Sequence, residues 1–517
     1  MRLSKNQLLI LILGIALVFG FLVRIVPIIH HQNYFWFDQG LDTILVKQLV
    51  VDHKLSLVSR YSGLAGVLMG PLWTWLLAIP FILGSASPVA PVIFFSVLGS
   101  LSAVVVYKFL SPINKSAAIF SFLGVLFAPI LITYSNLVAS PHPLSFLFIF
   151  YIWFLCKIAI DQESKYFIPL LFLVGLFFQL EIGFALFTLP AILVTLVLFH
   201  NVKQIFSKHF IIGLVVFSLT FLPQLLFDLR HNFLITNGFL SLFQGKGTLY
   251  GAHDPIFVRF FERAKSFRDD FVLMALYIQP TILAIFTLLL SFGGWGLAVK
   301  EKLKNHTNLF KVLFAIIFTF YVGFSFYPGP LWTWYRAGLP VVYIIFLMTG
   351  LAVIFNKVKL LRPIISILLA IFIIQGANLQ NISDRVMGKE INDNAILQNQ
   401  EQALDYVYKL AAGRSFSIFA YTPPVYDYIW QYNFFWYGQK KYGYLPKNWQ
   451  MGIPLLGIGE QSKPPKMDEG LFFLILEPNS ERPWEPEGWK KSYIKYGKII
   501  NTQTFPGKIV VEERTTN

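Results

Sequence analysis

A chain that repeats apolar runs of about 20 residues has little choice of architecture. Each run is long enough to cross the hydrocarbon core of a bilayer and must satisfy its backbone internally as helix. Such runs occupy roughly residues 7–29, 67–84, 88–109, 116–137, 141–160, 165–180, 182–199, 210–228, 271–299, 309–328, 331–355 and 361–377. Only 13% of the 517 residues are charged and 53 are Phe, whereas a soluble domain carries about 25% charged residues. The chain therefore reads as a polytopic α-helical membrane protein. Its net charge of +15 does not call for nucleic acid, because the lysines fall in short loops between apolar runs, where they orient helices. The single cysteine, Cys156, lies inside an apolar run and has no partner for an internal disulfide.

Charge placement gives an orientation. MRLSK precedes the first apolar run, and Arg24, Pro27, His30 and His31 follow it in place of a small-residue cleavage site. This predicts an uncleaved first span with a cytoplasmic N-terminus. Basic residues recur in alternate gaps, at Lys108/Lys115, Lys157/Lys165, Lys203/Lys208, Lys300 to Lys311, and Lys357 to Arg362. All of these gaps are assigned to the cytoplasmic side. Parity then requires that 67–84, which carries Pro71 and Pro80, does not cross completely. The expectation is about eleven crossings plus one re-entrant or interfacial helix. On the outer side this leaves 30–66, the 135–142 turn, the break at Gln179–Glu181, a second large loop at 229–270, the 327–336 turn, and everything after 378.

From residue 378 the composition changes. A polar stretch of helical pattern, NLQNISDRVMGKEINDNAILQNQEQALDYVYKL, leads to three strand-like segments, SFSIFAYTP, GLFFLILEP and GKIVVEE. More than half of the 27 acids lie here. The expected domains are thus 1–377, in the membrane, and 378–517, a small extracytoplasmic α/β domain. Its aromatic segment VYDYIWQYNFFWYGQKKYGY is suited to covering a substrate.

The few acids near outer membrane boundaries are candidates for chemistry, since a charge beside hydrocarbon costs about 2.5–3.5 kcal/mol on insertion scales. YFWFDQGLDTILV places Asp38 and Asp42 four residues apart, on one helix face. Such a carboxylate either accepts a proton from a nucleophile or holds a divalent cation. The alternative is that Asp38 caps the helix beginning QGLDTILVKQLV. Glu181 interrupts two apolar runs with almost no loop, so it either lines a wet cavity or marks a polar hairpin tip. FDLRHNF gathers Asp228, Arg230, His231 and Asn232, a phosphate site or an interfacial anchor with a local Asp228–Arg230 ion pair. Arg336, in YPGPLWTWYRAGLP, is a phosphate ligand or a cation snorkelling from an aromatic belt. YSNLVASPHPL offers Asn136 and His142, and Arg60 and Lys246 are further cations for a phosphate. There is no paired CxxC, HExxH, Walker loop or GxGxxG, which disfavours ATP-driven transport and nicotinamide chemistry.

The first span followed at once by FDQGLD, then GPLWTWLLAIPF, then many spans and an outer C-terminal domain, resembles the integral-membrane GT-C glycosyltransferases. The likeness is to the ArnT/PMT-like group (glycosyltransferase 39, RgtA/B/C/D-like) and covers roughly residues 7–377. It implies an inverting glycosyltransferase that moves a sugar from a polyprenyl-phosphate carrier to a lipid, glycan or protein acceptor at the outer face. Asp38 matches the acid of the first-loop motif, as catalytic base or metal-site residue, and Gly70-Pro71 match the second motif. Glu181 joins Asp38 as a catalytic candidate, with Asp42, Arg60, Asn136, His142, Asp228, Arg230, His231 and Arg336 as substrate-binding ones. The implied partners are the polyprenyl-phosphate-sugar donor, its acceptor and membrane lipids, without nucleic acid. The one cofactor the resemblance admits is a divalent cation, Mg or Mn, although Gln39 stands where many relatives carry a second acid. The rival reading is a lipid or polysaccharide transporter or scaffold, which would want charged residues along a path through mid-membrane; few are present.

Overall fold

A computed structural model describes residues 4–62, 67–243, 255–423, 426–449, 451, 470–494 and 497–515. Among them, six helices are long and apolar enough to cross a membrane: Lys5–His31, Val89–Leu110, Thr281–Lys300, Lys304–Phe326, Leu339–Lys357 and Lys359–Val386. Two bent pairs, Lys115–Phe127 with Pro129–Asn136 (47°) and Lys208–Leu219 with Leu222–Arg230 (45°), bring the number to as many as eight if each is one span. Proline stands at the start of the helix after each break, where it removes an N–H donor from the ladder. Shorter apolar helices cover Leu144–Ala159, Ser164–Leu180 and Ile182–Leu198. The helix Leu72–Leu83, which opens at the GPLW motif, has 12 residues. It reaches about 18 Å at 1.5 Å per residue, well short of the roughly 30 Å hydrocarbon core.

The chain packs as two compact units. The first comprises Met1–Arg24, Ser56–Trp73 and Phe95–Ile382; the second comprises Ile25–Leu55, Thr74–Phe94 and Ser383–Asn517. In the first, Leu339–Lys357 is buried along almost its whole length and packs against Thr281–Lys300 and Lys115–Phe127. Two polar groups of this apolar core are matched to backbone oxygens. Trp295 Nε1 donates to Phe346 O at 3.0 Å and Ser291 Oγ to Leu347 O at 3.0 Å. The abundance of Phe has a local purpose here: Phe148, Phe177, Phe184 and Phe320 stack edge-on or tilted with centroids 4.8–6.2 Å apart, filling space between helices with rigid rings.

One buried charge is explained by a helix break. Pro129 has no N–H to offer Val125 O. Ala128, in extended conformation, also takes Leu126 O out of the ladder. Arg24, fully buried at the end of the first helix, supplies the missing donors: Nη2 reaches Val125 O at 3.1 Å, and Nη1 reaches Leu126 O at 2.6 Å and Gly20 O at 3.0 Å.

The second unit contains a four-stranded sheet of β1 (Ser417–Tyr421), β2 (Leu471–Leu476), β3 (Lys498–Phe505) and β4 (Ile509–Thr515), in the order β1-β2-β4-β3. β1 runs parallel to β2, and β4 is antiparallel to both β2 and β3. The three strands expected from sequence are β1, β2 and β4. β3 was not anticipated, because it is an edge strand exposed along nearly its whole length and so carries no alternation of apolar residues to read. The helix Leu397–Ala411 buries Leu397, Ala403, Leu404, Val407 and Ala411 and packs on β4.

Candidate functional site

In the first unit, four segments expected on the outer side gather polar side chains. Residues 59–62 and 67–69 pair antiparallel as the two arms of a hairpin, with Ser59 N bonded to Met69 O (2.8 Å) and Met69 N to Arg60 O (2.9 Å). This hairpin presents Arg60, whose Nη2 donates to Ser140 Oγ of the 135–142 turn at 2.7 Å. Glu181 sits at the break between Phe167–Leu180 and Ile182–Ala185. It is buried, and its Oε1 accepts from Gly183 N at 3.1 Å. Burial pushes its carboxyl up to about 7, opposed by the Gly183 N–H and by the positive field of Arg60. Arg60 thus puts a positive charge within electrostatic reach of the buried Glu181 carboxyl, and its fork of donors suits an anion.

The same region shows why the GPLW motif begins with glycine. A Cβ on Gly70 would fall on the Gln179 side-chain amide. Gln179 Nε2 donates to Thr220 O at 3.0 Å and to Gln224 Oε1, and Gln224 Nε2 donates to Leu68 O at 3.3 Å. This buried amide chain ties the hairpin to the break that carries Glu181. The fourth segment closes on it through Tyr335, whose ring lies against Gly183.

Other candidates take local roles. Arg336 does not snorkel: it is buried, and its Nε and Nη2 reach Asp270 Oδ2 and Oδ1 at 2.6 and 3.0 Å. The Asp228–Arg230 ion pair is not formed. Asp228 instead accepts from Ile235 N at 2.6 Å, from Thr236 N and from Thr236 Oγ1 at 2.5 Å, capping the helix Leu234–Phe243, while Arg230 is exposed. His231 Nδ1 lies 2.8 Å from Phe227 O, and its ring stacks on Phe227. His142 is buried, with Nδ1 on Leu137 O and its ring stacked on Tyr134 at 4.2 Å. Asn136 Oδ1 is buried without a hydrogen-bond partner among the described residues. Lys246 lies outside the described residues.

The second unit holds the first-loop acids. Their helix runs Phe37–Val50, so Asp38 stands in its first turn and is not the cap. The capping contact comes from Gln39, whose Oε1 accepts from Trp36 N at 2.9 Å. A carboxylate in the first turn lies where the helix dipole stabilises negative charge. Asp38 is exposed while Asp42, on the same helix face, is buried. Residues 31–40 are fastened to the tail of the chain. Phe35 N donates to Ala395 O at 2.7 Å and Leu397 N to Asn33 O at 3.1 Å, bracketing a bridge between Tyr34 and Ile396. His31 Nδ1 lies 2.8 Å from Glu401 Oε1. The aromatic tail segment, expected to cover a substrate, spends its rings here: Tyr428 packs on Phe37 (5.1 Å) and Tyr432 on Phe35 (5.8 Å).

Among the described residues, no group of three or more His, Cys, Asp or Glu side chains is placed to share a metal ion. Sequence reading also missed Asp270, Ser140 and Gln224, each polar and short on context; Asp270 follows Asp269 in a run that reads simply as charged.

Residues 69–227 match the family model described as dolichyl-phosphate-mannose-protein mannosyltransferase. No curated protein matches the chain. Among solved structures, ArnT from Cupriavidus metallidurans bound to undecaprenyl phosphate is similar with a TM-score of 0.58 at 12% identity, covering 99% of this chain and 98% of that one. The apo form of the same protein gives 0.59 at 11% identity, with the same coverage. These findings bear out the ArnT/PMT-like GT-C resemblance read from the sequence, and the fold is that of a multi-pass GT-C membrane protein with a small C-terminal sheet.

Proposed function

We propose that this chain, with its GT-C fold and ArnT/PMT likeness, is an inverting glycosyltransferase that takes its sugar from a polyprenyl-phosphate carrier. The observation that carries the reading is the similarity over 99% of the chain to ArnT bound to undecaprenyl phosphate, joined to an exposed first-turn carboxylate just after the first span. Asp38 accepts the proton of the acceptor's hydroxyl or amine as that atom attacks the anomeric carbon. The bond from that carbon to the phosphate oxygen breaks, and the polyprenyl phosphate leaves from the opposite face. Arg60 binds the phosphate through its fork of donors, with Glu181, Asn136 and His142 around it. Exposed Arg230 is a second cation offered to the phosphate, while Asp228, His231 and Arg336 act through the local structure they hold. The reaction takes place on the extracytoplasmic face, with about eleven crossings, a cytoplasmic N-terminus and the tail domain outside. The acceptor is a lipid, glycan or protein of the cell envelope.

The test is to reconstitute the purified protein in lipid with a panel of polyprenyl-phosphate sugars and follow carrier release. Wild type should consume at least one donor, and Asp38→Asn should lose about 10²–10⁴-fold in rate, the range for a general base, while remaining folded. Full turnover by Asp38→Asn would remove the base assignment, and indifference to every donor would remove the activity.

A further inference from the structure

The tail residues that grip 31–40 do so at the backbone immediately before Asp38, and one side chain stands at the centre of that grip. Gln400 is completely buried. Its Nε2 donates to Phe35 O at 2.8 Å and to Asn394 O at 2.8 Å, and its Oε1 accepts from Asn433 Nδ2 at 2.9 Å. One amide thus joins the first-loop segment, the loop leading to Leu397–Ala411 and the helix Tyr428–Asn433, all within the second unit.

The helix Tyr428–Asn433 in turn seats the start of the Asp38 helix. A Cβ on Gly40 would lie 2.7 Å from Ile429 N, so the two backbones touch with no side chain between them. Two residues before Asp38, Trp36 N is taken by Gln39; three before it, Phe35 is bonded at both N and O to tail residues. Further along, Lys47 Nζ lies over the Phe435 ring at 5.5 Å. The first turn of the helix is therefore held from both ends by the tail, whereas a free helix end frays.

We propose that Gln400 is a positioning residue for Asp38, and that one task of the tail domain is to fix the direction in which the first turn of the Phe37–Val50 helix presents its carboxylate. This deepens the glycosyltransferase reading and rests on Asp38 being the base. General-base catalysis is steeply sensitive to geometry, and a displacement of about 1 Å costs on the order of 10²-fold in rate. Substituting Gln400 by Leu keeps the volume approximately and removes the amide. Phe35 O then loses its donor, and the first turn is released without any change in Asp38, Arg60 or Glu181.

The experiment uses the full-length protein in lipid. Gln400→Leu, Val511→Ala and Asp38→Asn are assayed beside wild type for kcat and for donor KM, with melting temperature as the measure of folding. Val511 is fully buried in β4, so its truncation reports what loss of tail stability alone does. The expected result is a fall of about tenfold or more in kcat for Gln400→Leu with donor KM within about twofold, and unchanged kcat for Val511→Ala at the same or greater loss of melting temperature. Gly40→Ala, which pushes the helix from Ile429, should repeat the kcat loss and serves if Gln400→Leu is not recovered folded. The proposal is overturned if Gln400→Leu and Gly40→Ala keep wild-type kcat while Asp38→Asn is inactive, or if kcat falls in both Gln400→Leu and Val511→Ala in step with stability. If Asp38→Asn itself turns over normally, the base assignment and the positioning proposal fall together, which separates that failure from the first.

Discussion

Arg336 and Asp270 form a two-point ion pair, Nε to Oδ2 at 2.6 Å and Nη2 to Oδ1 at 3.0 Å, with both side chains buried. The pair anchors the turn whose Tyr335 lies on Gly183 beside Glu181. Removing one partner leaves the other charge buried and unpaired, a loss of about 3–5 kcal/mol. Arg336→Leu should therefore melt well below wild type in detergent, and Arg336→Lys, which lacks the planar fork, should recover only part of the difference. A wild-type melting curve for Arg336→Leu would show that the pair does not hold the turn.

Arg24 stands in for backbone donors missing at the Pro129 break, and this predicts coupling between two residues on different helices. Arg24→Met alone strands the carbonyls of Val125 and Leu126, at about 1–3 kcal/mol for each unsatisfied group. In a Pro129→Ala background the ladder has its N–H back, so the same substitution should cost less, with a coupling of about 0.5–3 kcal/mol. Strictly additive melting losses in the double-mutant cycle would argue against the account.

Gly70→Ala puts a methyl on the Gln179 amide and should disturb the amide chain from Leu68 to Thr220. Overpacking of this kind costs about 1–3 kcal/mol. The telling comparison is Gly70→Ala with Gln179→Ser, which makes room; it should melt closer to wild type than Gly70→Ala alone. Equal melting of Gly70→Ala and wild type would mean that the contact is loose.

Arg60 and Arg230 are both candidate phosphate ligands, but only Arg60 is tied into the polar cluster with Ser140 and Glu181. Charge-assisted hydrogen bonds are worth about 1.5–3 kcal/mol, so Arg60→Ala should raise donor KM by about tenfold or more. Exposed Arg230 should yield the smaller change when replaced by Ala. Donor kinetics that order the two the other way would move the phosphate site.

The tail domain should lose stability as pH rises. Burial pushes the Glu477 carboxyl up to about 7, against the pull of the hydrogen bonds from Trp430 (2.8 Å) and Asn394 (3.0 Å). Its folded value lies above the ordinary 4.5, so its contribution is fully present below that value and is lost as pH rises through about 7. His31, raised chiefly by its hydrogen bond with Glu401, acts in the same direction: its contribution is present below its ordinary value and fades as pH passes the raised one. Melting temperature should fall between roughly pH 5 and 8, and the slope should flatten in Glu477→Gln and flatten further with His31→Gln. A slope unchanged in both variants would exclude these two groups as its source.

What the sequence determined by itself is whatever depends on runs of neighbouring residues. Apolar length placed Val89–Leu110 and Arg362–Ala377 within about a residue of where the hydropathy puts them, because the cost of an unsatisfied peptide in hydrocarbon makes such a run helical whatever surrounds it. Thr281–Lys300 and Leu339–Lys357 begin well inside the runs expected at 271–299 and 331–355, since Pro280 and the turn through Arg336 start each helix late. The acid after the first span and the glycine of GPLW were legible as motifs for the same local reason. Tertiary structure alone decided who meets whom. Arg336 found Asp270 rather than the interface, Asp228 turned to the amides of Ile235 and Thr236 rather than to Arg230, and Gln400 reached back along the chain to Phe35. A polar side chain in a low-dielectric interior must be satisfied by whichever group the packing brings within about 3 Å, and that group is set by the paths of other helices rather than by adjacent residues.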